Sequence, residues 1–455
     1  MQNKHPPTDR RKMRPLKIIT YAGIALGTII FTCVIALLLF SDPLVNKYIK
    51  PRITKAFAEA YPAYSLHMAT MHYNVLTNRF GFDSVSLKAV DGAFSGTAVS
   101  LSAGGIGWLH LLWGGSLTAE DFASSVVDGQ NIVLDLRKYQ YRLRCTLIRM
   151  SVPKSEITTE SLNLEPLGGD EQFFDGSPFR KTRLNVVTRQ CSVEGLSFSD
   201  ILKGENYHAR SIQIRDAIAD VFLNKDRPDS RDTVGPFMPN EILGSIKRKV
   251  SVDRVSITNS QMKYSERFDR DAKPSFITFD SMNVLAEGIA NHGPRGSVIV
   301  VHADTKFADA GTMTLNMTFP VASPDFSFKY SGSLSRMDLR PINSFLEISD
   351  QMRIKSGVLE GVTYDIQVIS GHASGNVSGV YRDLRMASIT KKTGSEKGLS
   401  NAVKTFLANT FKIRKDNVPG GMKIGRIKYD RLPDDPFFQY AWFSLRTGVQ
   451  DVLGL

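Results

Sequence analysis

A short recurring phrase constrains the fold of this chain more than any other feature. Residues 191–200 read CSVEGLSFSD and residues 250–259 read VSVDRVSITN, the same order of residue types 59 positions apart. In VSVDRVSI the apolar residues take positions one, three, six and eight. Alternation places the first two on one face of a strand, and the skipped beat sends the next two to the other face. A β-bulge cancels that flip, because one absorbed residue bends the strand and returns the apolar set to a single side. A helix demands positions one, four, five and eight, so the phrase predicts a kinked strand.

The beat appears at Phe80, Phe82, Val85 and Leu87, and at Cys191, Val193, Leu196 and Phe198. It returns at Val250, Val252, Val255 and Ile257, at Ile277, Phe279, Met282 and Val284, and at Met422, Ile424, Ile427 and Tyr429. A looser copy covers Leu66, Met68, Met71 and Tyr73. Such recurrence indicates a repeated unit. Four copies carry an acid at the skipped beat, Asp83, Glu194, Asp253 and Asp280. Each acid either accepts a backbone N–H that the bulge leaves unpaired or is a solvated group on the outer face. Further alternating strands are expected at 131–136, 311–319 and 362–369. The polar, Gly- and Pro-rich stretches 165–182 and 224–241 read as long loops, because the same phrase occurs on both sides of each.

Before the repeats comes a different kind of sequence. Residues 18–40, IITYAGIALGTIIFTCVIALLLF, contain no charge, enough at about 1.5 Å per residue to span a bilayer core of roughly 30 Å. Lys4, Arg10, Arg11, Lys12, Arg14 and Lys17 precede it against Asp9 alone, so the amino terminus is expected in the cytoplasm and the remainder exported. The reading is an uncleaved signal anchor, since the nearest Ala-x-Ala, Ala56–Ala58, lies far downstream. Val45, Tyr48, Ile49, Ile53, Ala56, Phe57 and Ala60 then form one apolar helical stripe, with Pro51 expected to kink or split the helix. That stripe either lies on the membrane or covers one end of a sheet, the latter being the commoner fate. The chain thus divides into a basic tail (1–17), an anchor (18–40), an amphipathic helix (41–62) and a β-rich body (63–455).

Near the carboxyl end two helices are expected. One spans 400–413, with Ala402, Val403, Phe406, Leu407 and Phe411 on a single face. The other follows Asp435 as a cap and Pro436 as its first residue, with aromatics around most of its circumference. The formal charge of +12 is concentrated in the amino-terminal tail and in 385–431, where twelve Lys/Arg meet three acids. That distribution argues against a nucleic-acid surface along the chain. Lys404, Lys412, Arg414, Lys415, Lys423 and Arg426 are candidates for contact with anionic headgroups, or else form a solvated face. Cys145 and Cys191 are either a disulfide pair or two buried thiols. No HExxH, CxxC or GxSxG is present, and no cofactor or metal site is expected. A hydrolase would need a polar pocket assembled from distant residues.

The order of features resembles the AsmA-like family of bacterial envelope proteins, which includes AsmA and TamB relatives. The resemblance is carried by YSLHMATMHYNVLTNRFGFDSVSLKAV and VSLSAGGIGWLHLLWGGSLTAEDFASSVVDGQNIVLDL, then by YSGSLSRMDLRPINSFL and GHASGNVSGVYRDLRM to the carboxyl end. It implies a single-pass inner-membrane protein with a periplasmic body, an elongated and strongly bent antiparallel sheet whose apolar groove accommodates phospholipid. Function would be non-enzymatic lipid binding or conduction in outer-membrane lipid homeostasis. The groove candidates are Phe80, Phe82, Val85, Leu87, Val193, Leu196, Phe198, Val250, Val252, Val255, Ile257, Ile277, Phe279, Met282, Val284, Met422, Ile424, Ile427 and Tyr429. A second reading is an assembly factor whose sheet edges engage outer-membrane or other envelope proteins. Packing the same strip against another sheet would hide it equally well.

Overall fold

The computed structural model describes residues 28, 41–107, 119–203, 206–228, 238–321, 325–389, 413–432 and 435–455. The basic tail, the anchor apart from Thr28, the helix expected at 400–413 apart from Ile413, and Lys404 and Lys412 lie outside them. Among the described residues no helix is long and apolar enough to cross a membrane.

The body is mostly β, as the alternating segments predict. One sheet begins with β1 (Tyr64–His67), β2 (Thr70–Asn74), β3 (Arg79–Ala89), β4 (Phe94–Gly104), β5 (Val126–Leu136), β6 (Tyr141–Ser151), β7 (Glu156–Pro166) and β8 (Lys181–Glu194). It continues through β9 (Asn206–Arg215), β10 (Ile218–Asn224), β11 (Lys249–Arg267), β12 (Ser275–Ala290), β13 (Val298–Phe307) and β14 (Gly311–Pro320). It ends with β15 (Phe328–Leu334), β16 (Met337–Asp338), β17 (Met352–Ile369), β18 (His372–Ser388) and β19 (Ile424–Asp430). Each strand pairs with its successor, except that three positions in the ladder hold a split strand. β1 and β2 share β3, β9 and β10 share both β8 and β11, and β15 and β16 share β17.

The sheet is mixed, which corrects the expectation of a purely antiparallel one. β9 and β10 run antiparallel to β8 but parallel to β11. The connection 225–248 therefore returns the chain along the strand length before β11 starts, as parallel neighbours require. The stretch 165–182 is also more than a loop. It carries α2 (Asp170–Asp175), whose Phe173 and Phe174 are buried against Phe222. Three further short helices follow, α3 (Phe198–Lys203), α4 (Pro239–Ser245) and α5 (Asn343–Ser349).

Both ends of the sheet are closed by helices. At the first, a π-helical turn (Val45–Ile49) leads without a break into α1 (Lys50–Ala60). Pro51 therefore falls just after the switch from π- to α-helix, an irregularity of the hydrogen-bond ladder of the kind prolines occupy. Val45, Ile49 and Ile53 pack on Met71, Phe80 and Phe82, so the stripe covers the sheet end. The free edge of β2 is occupied as well. Tyr73 N donates to Asp42 Oδ1 (3.0 Å), Asn46 exchanges two bonds with the Met71 backbone (2.6 and 3.0 Å), and Lys50 Nζ donates to Ala69 O (2.6 Å).

At the other end α6 (Phe437–Leu453) lies over β18 and β19. Arg426 N donates to Asp451 Oδ2 (2.8 Å) and Lys428 N to Thr447 Oγ1 (3.3 Å). The same device closes both edges. Four residues of helix rise about 6.0 Å and two of strand about 6.7 Å, so side chains at i and i+4 meet alternate strand amides. The α6 contact needs two glycines, because a Cβ on Gly425 would lie 2.0 Å from Gly448 O. Tyr440 and Ile366 are fully buried there, with Tyr440 Oη donating to Gly371 O (2.9 Å). Asp435 does not cap α6 as expected. It is buried, and its carboxylate accepts from Leu432 N and Tyr429 Oη (both 2.9 Å).

Candidate functional site

Residues directly opposite each other in a ladder point to the same face, so registers can be followed across the whole sheet. One row runs Phe80, Ala103, Val127, Met150, Ile157, Val193, Ile212, Val255, Ala286, Val301, Met317, Tyr330, Ile366, Gly375 and Ile427. No charged residue interrupts it. A parallel row joins Phe82, Leu101, Gly129, Ile148, Thr159, Cys191, Ile214, Ile257, Val284, Ala303 and Leu315. A third, nearer the other strand ends, joins Leu66, Leu87, Gly96, Leu134, Leu143, Leu164, Val186, Ala219, Met262, Phe279 and Phe307. Rows on the opposite face are polar, as in Ser102, Asp128, Arg149, Thr158, Ser192, Gln213 and Ser256.

Between the second and third apolar rows lies a seam. Ser84, Asn131, Ser161, Asp216, Asn259 and Ser281 have φ of 49° to 52°, the left-handed region that short polar side chains tolerate best. They fall in register, so that the irregularity passes from β3 to β12 as a line. This is how Phe82 and Val85, three residues apart, reach one cluster. Small side chains are buried along the line: Ala98, Cys145, Thr188, Ala217, Ser260 and Thr305.

Several of these satisfy backbone groups that the bulges release from the ladder. Thr188 Oγ1 donates to Arg215 O (2.9 Å), and Thr305 Oγ1 to Asp280 O (3.0 Å). Ser260 Oγ accepts from Ala217 N (3.1 Å), and Cys145 Sγ donates to Leu147 O (3.0 Å). The acids at the skipped beat follow the second expectation, with the Asp83 and Asp253 side chains 47% and 61% exposed, and three of the four also bond side chains across the ladder. Asp83 bonds Thr70 and His72 (2.9 and 2.8 Å), Glu194 bonds Ser211 and Gln213 (3.3 and 3.2 Å), and Asp253 bonds His208 (3.1 Å). They are cross-strand side-chain partners.

The beat itself has three structural outcomes. At 80–87 and 277–284 the fifth residue, Ser84 or Ser281, is the left-handed one. At 191–198 the strand ends at Glu194 and Gly195 turns with φ 71°, so Leu196 and Phe198 lie beyond β8. At 250–257 and 422–429 the registers run on without a shift. With no shift, Val250 and Val252 fall on the face opposite Val255 and Ile257, which corrects the expectation that all four share one side. Ile277, opposite Tyr264, keeps the face of Phe279. Met422 precedes β19, and Ile424 pairs with Ser378 in a hydroxyl-bearing row. Tyr429 packs against the C-terminal core.

Coverage of the apolar face differs along its length. Val127, Met150, Ile157, Val193, Ile212 and Val255 are all half-buried, whereas Tyr330, Ile366 and Ile427 are buried. At the closed end, burial pushes the Tyr364 phenol up to about 12. α5 (Asn343–Ser349) touches both β12 and β17, with the Phe345 ring 6.4 Å from that of Tyr264. Ser344 Oγ donates to Phe276 O on β12 (3.0 Å), while its neighbour Asn343 bonds the Ile354 backbone on β17 (2.9 and 2.8 Å). Those strands stand about 19 Å apart in a flat sheet, farther than two adjacent side chains reach, so the face curls inward there.

Cys145 and Cys191 are free thiols whose burial pushes both upward in pKa. β7 separates their strands, placing them roughly 10 Å apart, beyond the span of a disulfide. Three of the four headgroup candidates that can be placed have partners within the chain. Lys423 pairs with Asp451 (2.7 Å), Lys415 with Asp383 (3.1 Å), and Arg414 Nε donates to Asp416 O (3.0 Å). Arg426 stands opposite Asn376, in the polar row. Among the described residues no group of three His, Cys, Asp or Glu side chains is placed to hold a metal ion. No protein-family model and no curated protein matches the sequence.

Proposed function

We propose that the chain is an AsmA-like, inner-membrane-anchored periplasmic protein. It holds phospholipid acyl chains along the inner, apolar face of a bent sheet, in the service of outer-membrane lipid homeostasis and without catalysis. The observation that carries this reading is the half-buried apolar field on β5 to β13, with three uncharged rows and a seam between them. At the usual strand and residue spacings it measures roughly 40 Å by 20 Å. Folded proteins rarely leave a contiguous apolar patch of more than a few hundred Å² uncovered without a binding role. An acyl chain is a matching occupant, because each methylene removed from water contributes about 0.8 kcal/mol. Covering half of a chain of roughly 16 carbons then contributes about 6 kcal/mol before ordering costs. The inward curl at α5 supports a groove over a flat platform. The occupied edges of β2 and β19 count against an assembly factor that works by strand addition.

Alternation supplies the test. A photoreactive side chain at Ile157 or Val193 is expected to give phospholipid adducts in cells, and one at the neighbouring Thr158 or Ser192 is not. Equal labelling at adjacent positions, or protein adducts alone, would refute the reading.

A further inference from the structure

Residues 41–57 have two opposite faces, and only one of them faces the sheet. On the inner arc Val45, Ile49 and Ile53 pack on the first apolar strands, while Asp42, Asn46 and Lys50 bond Tyr73, Met71 and Ala69 in turn. His72 adds a bridge, with Nδ1 2.8 Å from Asp42 and Nε2 2.8 Å from Asp83. This segment therefore stands where a further strand would pair.

The outer arc is different in kind. Leu44, Lys47, Tyr48, Pro51, Arg52 and Lys55 alternate with the sheet-facing positions and carry the exposed side of the segment. All six are exposed, Leu44 by 45% and Tyr48 by 54%. Three cations stand there, with Lys47 5.3 Å from the Tyr48 ring and Lys55 3.8 Å from Glu59. The uncharged stretch Ile18–Phe40 ends one residue before Ser41, so this arc begins where that stretch ends. Apolar and aromatic side chains ringed by Lys and Arg suit the headgroup layer of an anionic bilayer.

We propose that residues 41–57 are a coupling element, a surrogate strand on one side and an anionic-bilayer contact on the other, that seats the first apolar row at the membrane surface. This rests on the membrane anchorage proposed above. The row begins at Tyr73 and Phe80, whose neighbours Met71 and Phe82 touch Val45 and Ile49. A phospholipid leaving the bilayer then meets the apolar face without crossing the polar one.

The test uses the full chain in nanodiscs containing phosphatidylglycerol, with benzoylphenylalanine at Tyr48 or, as a control, at the exposed Leu76 or Val90. Lipid adducts at position 48 are expected to exceed either control at least fivefold. They should fall severalfold when Lys47, Arg52 and Lys55 are replaced by Glu. Equal yields in a chain that stays in the disc overturn the bilayer contact alone, whereas a chain that does not stay in the disc overturns the anchorage as well. In Asn46→Ala, exchange of the Met71 amide should accelerate at least tenfold with β17 amides unchanged. An unchanged Met71 amide overturns the surrogate-strand role.

Discussion

The middle of the sheet and its carboxyl-terminal end present the same apolar row in opposite conditions. Ile157 and Val193 on β7 and β8 are half-buried, while Ile366 and Ile427 on β17 and β19 are buried beneath α6. Nothing in the alternation of the strands separates the two regions. The difference is made by one helix, joined by Met238, Phe326 and Leu346, and by two positions, Gly425 and Gly448, that let the helix approach within contact of the strands. A sheet face, in other words, carries no record of whether it is to be covered, and the covering element decides.

That contrast is broken most forcefully by truncation. Tyr440→Ala is expected to destabilise the body by about 4 kcal/mol and Ile366→Ala by about 3 kcal/mol, as for large-to-small changes in a closed core. Ile157→Ala should cost about 1 kcal/mol, since less of its surface leaves water on folding. Urea denaturation of the three variants checks the ranking, and equal losses would mean that the middle is as tightly packed as the end.

The seam sharpens the comparison at smaller scale. Ser260→Ala leaves the Ala217 amide without its acceptor in a buried position, an expected cost of about 2 kcal/mol. Thr188→Val removes the donor to Arg215 O at similar volume, at about 1 kcal/mol. If the seam shapes the middle, both variants should also raise amide exchange in β8 to β11 and leave β17 and β18 protected.

The smallest effect distinguishes the two closures by pH. His72 bonds Asp42 and Asp83, and those bonds hold its pKa above the ordinary 6.5. Its contribution is thus fully present below pH 6.5 and is lost as pH rises through the raised value. His72 likewise holds both aspartates below the ordinary 3.8, so their contribution is present above that pH and lost as it falls through the depressed values. Exchange at Met71 and Tyr73 should be slowest, relative to intrinsic rates, between about pH 4 and pH 6.5. At the opposite edge Asp451 is held low by Lys423, so only the acid limb is expected at Arg426.

Much of the sheet was legible in the sequence because alternation is local. The strands expected at 131–136, 311–319 and 362–369 lie within β5, β14 and β17. The bulge at Ser84 and Ser281 was readable from the skipped beat, but the same beat at Val250–Ile257 passes without a register shift and at Gly195 becomes a turn. A skipped beat marks a conflict between pattern and pleat, and a bulge, a turn or a tolerated misfit each resolves it. Thr188, Ser260 and Thr305 escaped notice because a hydroxyl beside other polar residues, as in Asn259-Ser260-Gln261 and Asp304-Thr305-Lys306, looks solvent-facing until its partner strand is known. Their faint signal was position, one per strand in step with a Ser, Asn or Asp nearby. The parallel pairing of β10 was unreadable for a related reason, since direction is set by where the connection 225–248 returns the chain.

The line of left-handed residues has a mechanical consequence. It resembles the scored crease in a piece of card, because each left-handed residue bends its own strand at that point. The notches fall on alternate strands from β3 to β11 and again on β12, and hydroxyls of neighbouring strands hold the backbone beside two of them, at Arg215 and Asp280. A bend fixed in this way is written into the strands themselves and needs no packed interior to hold it.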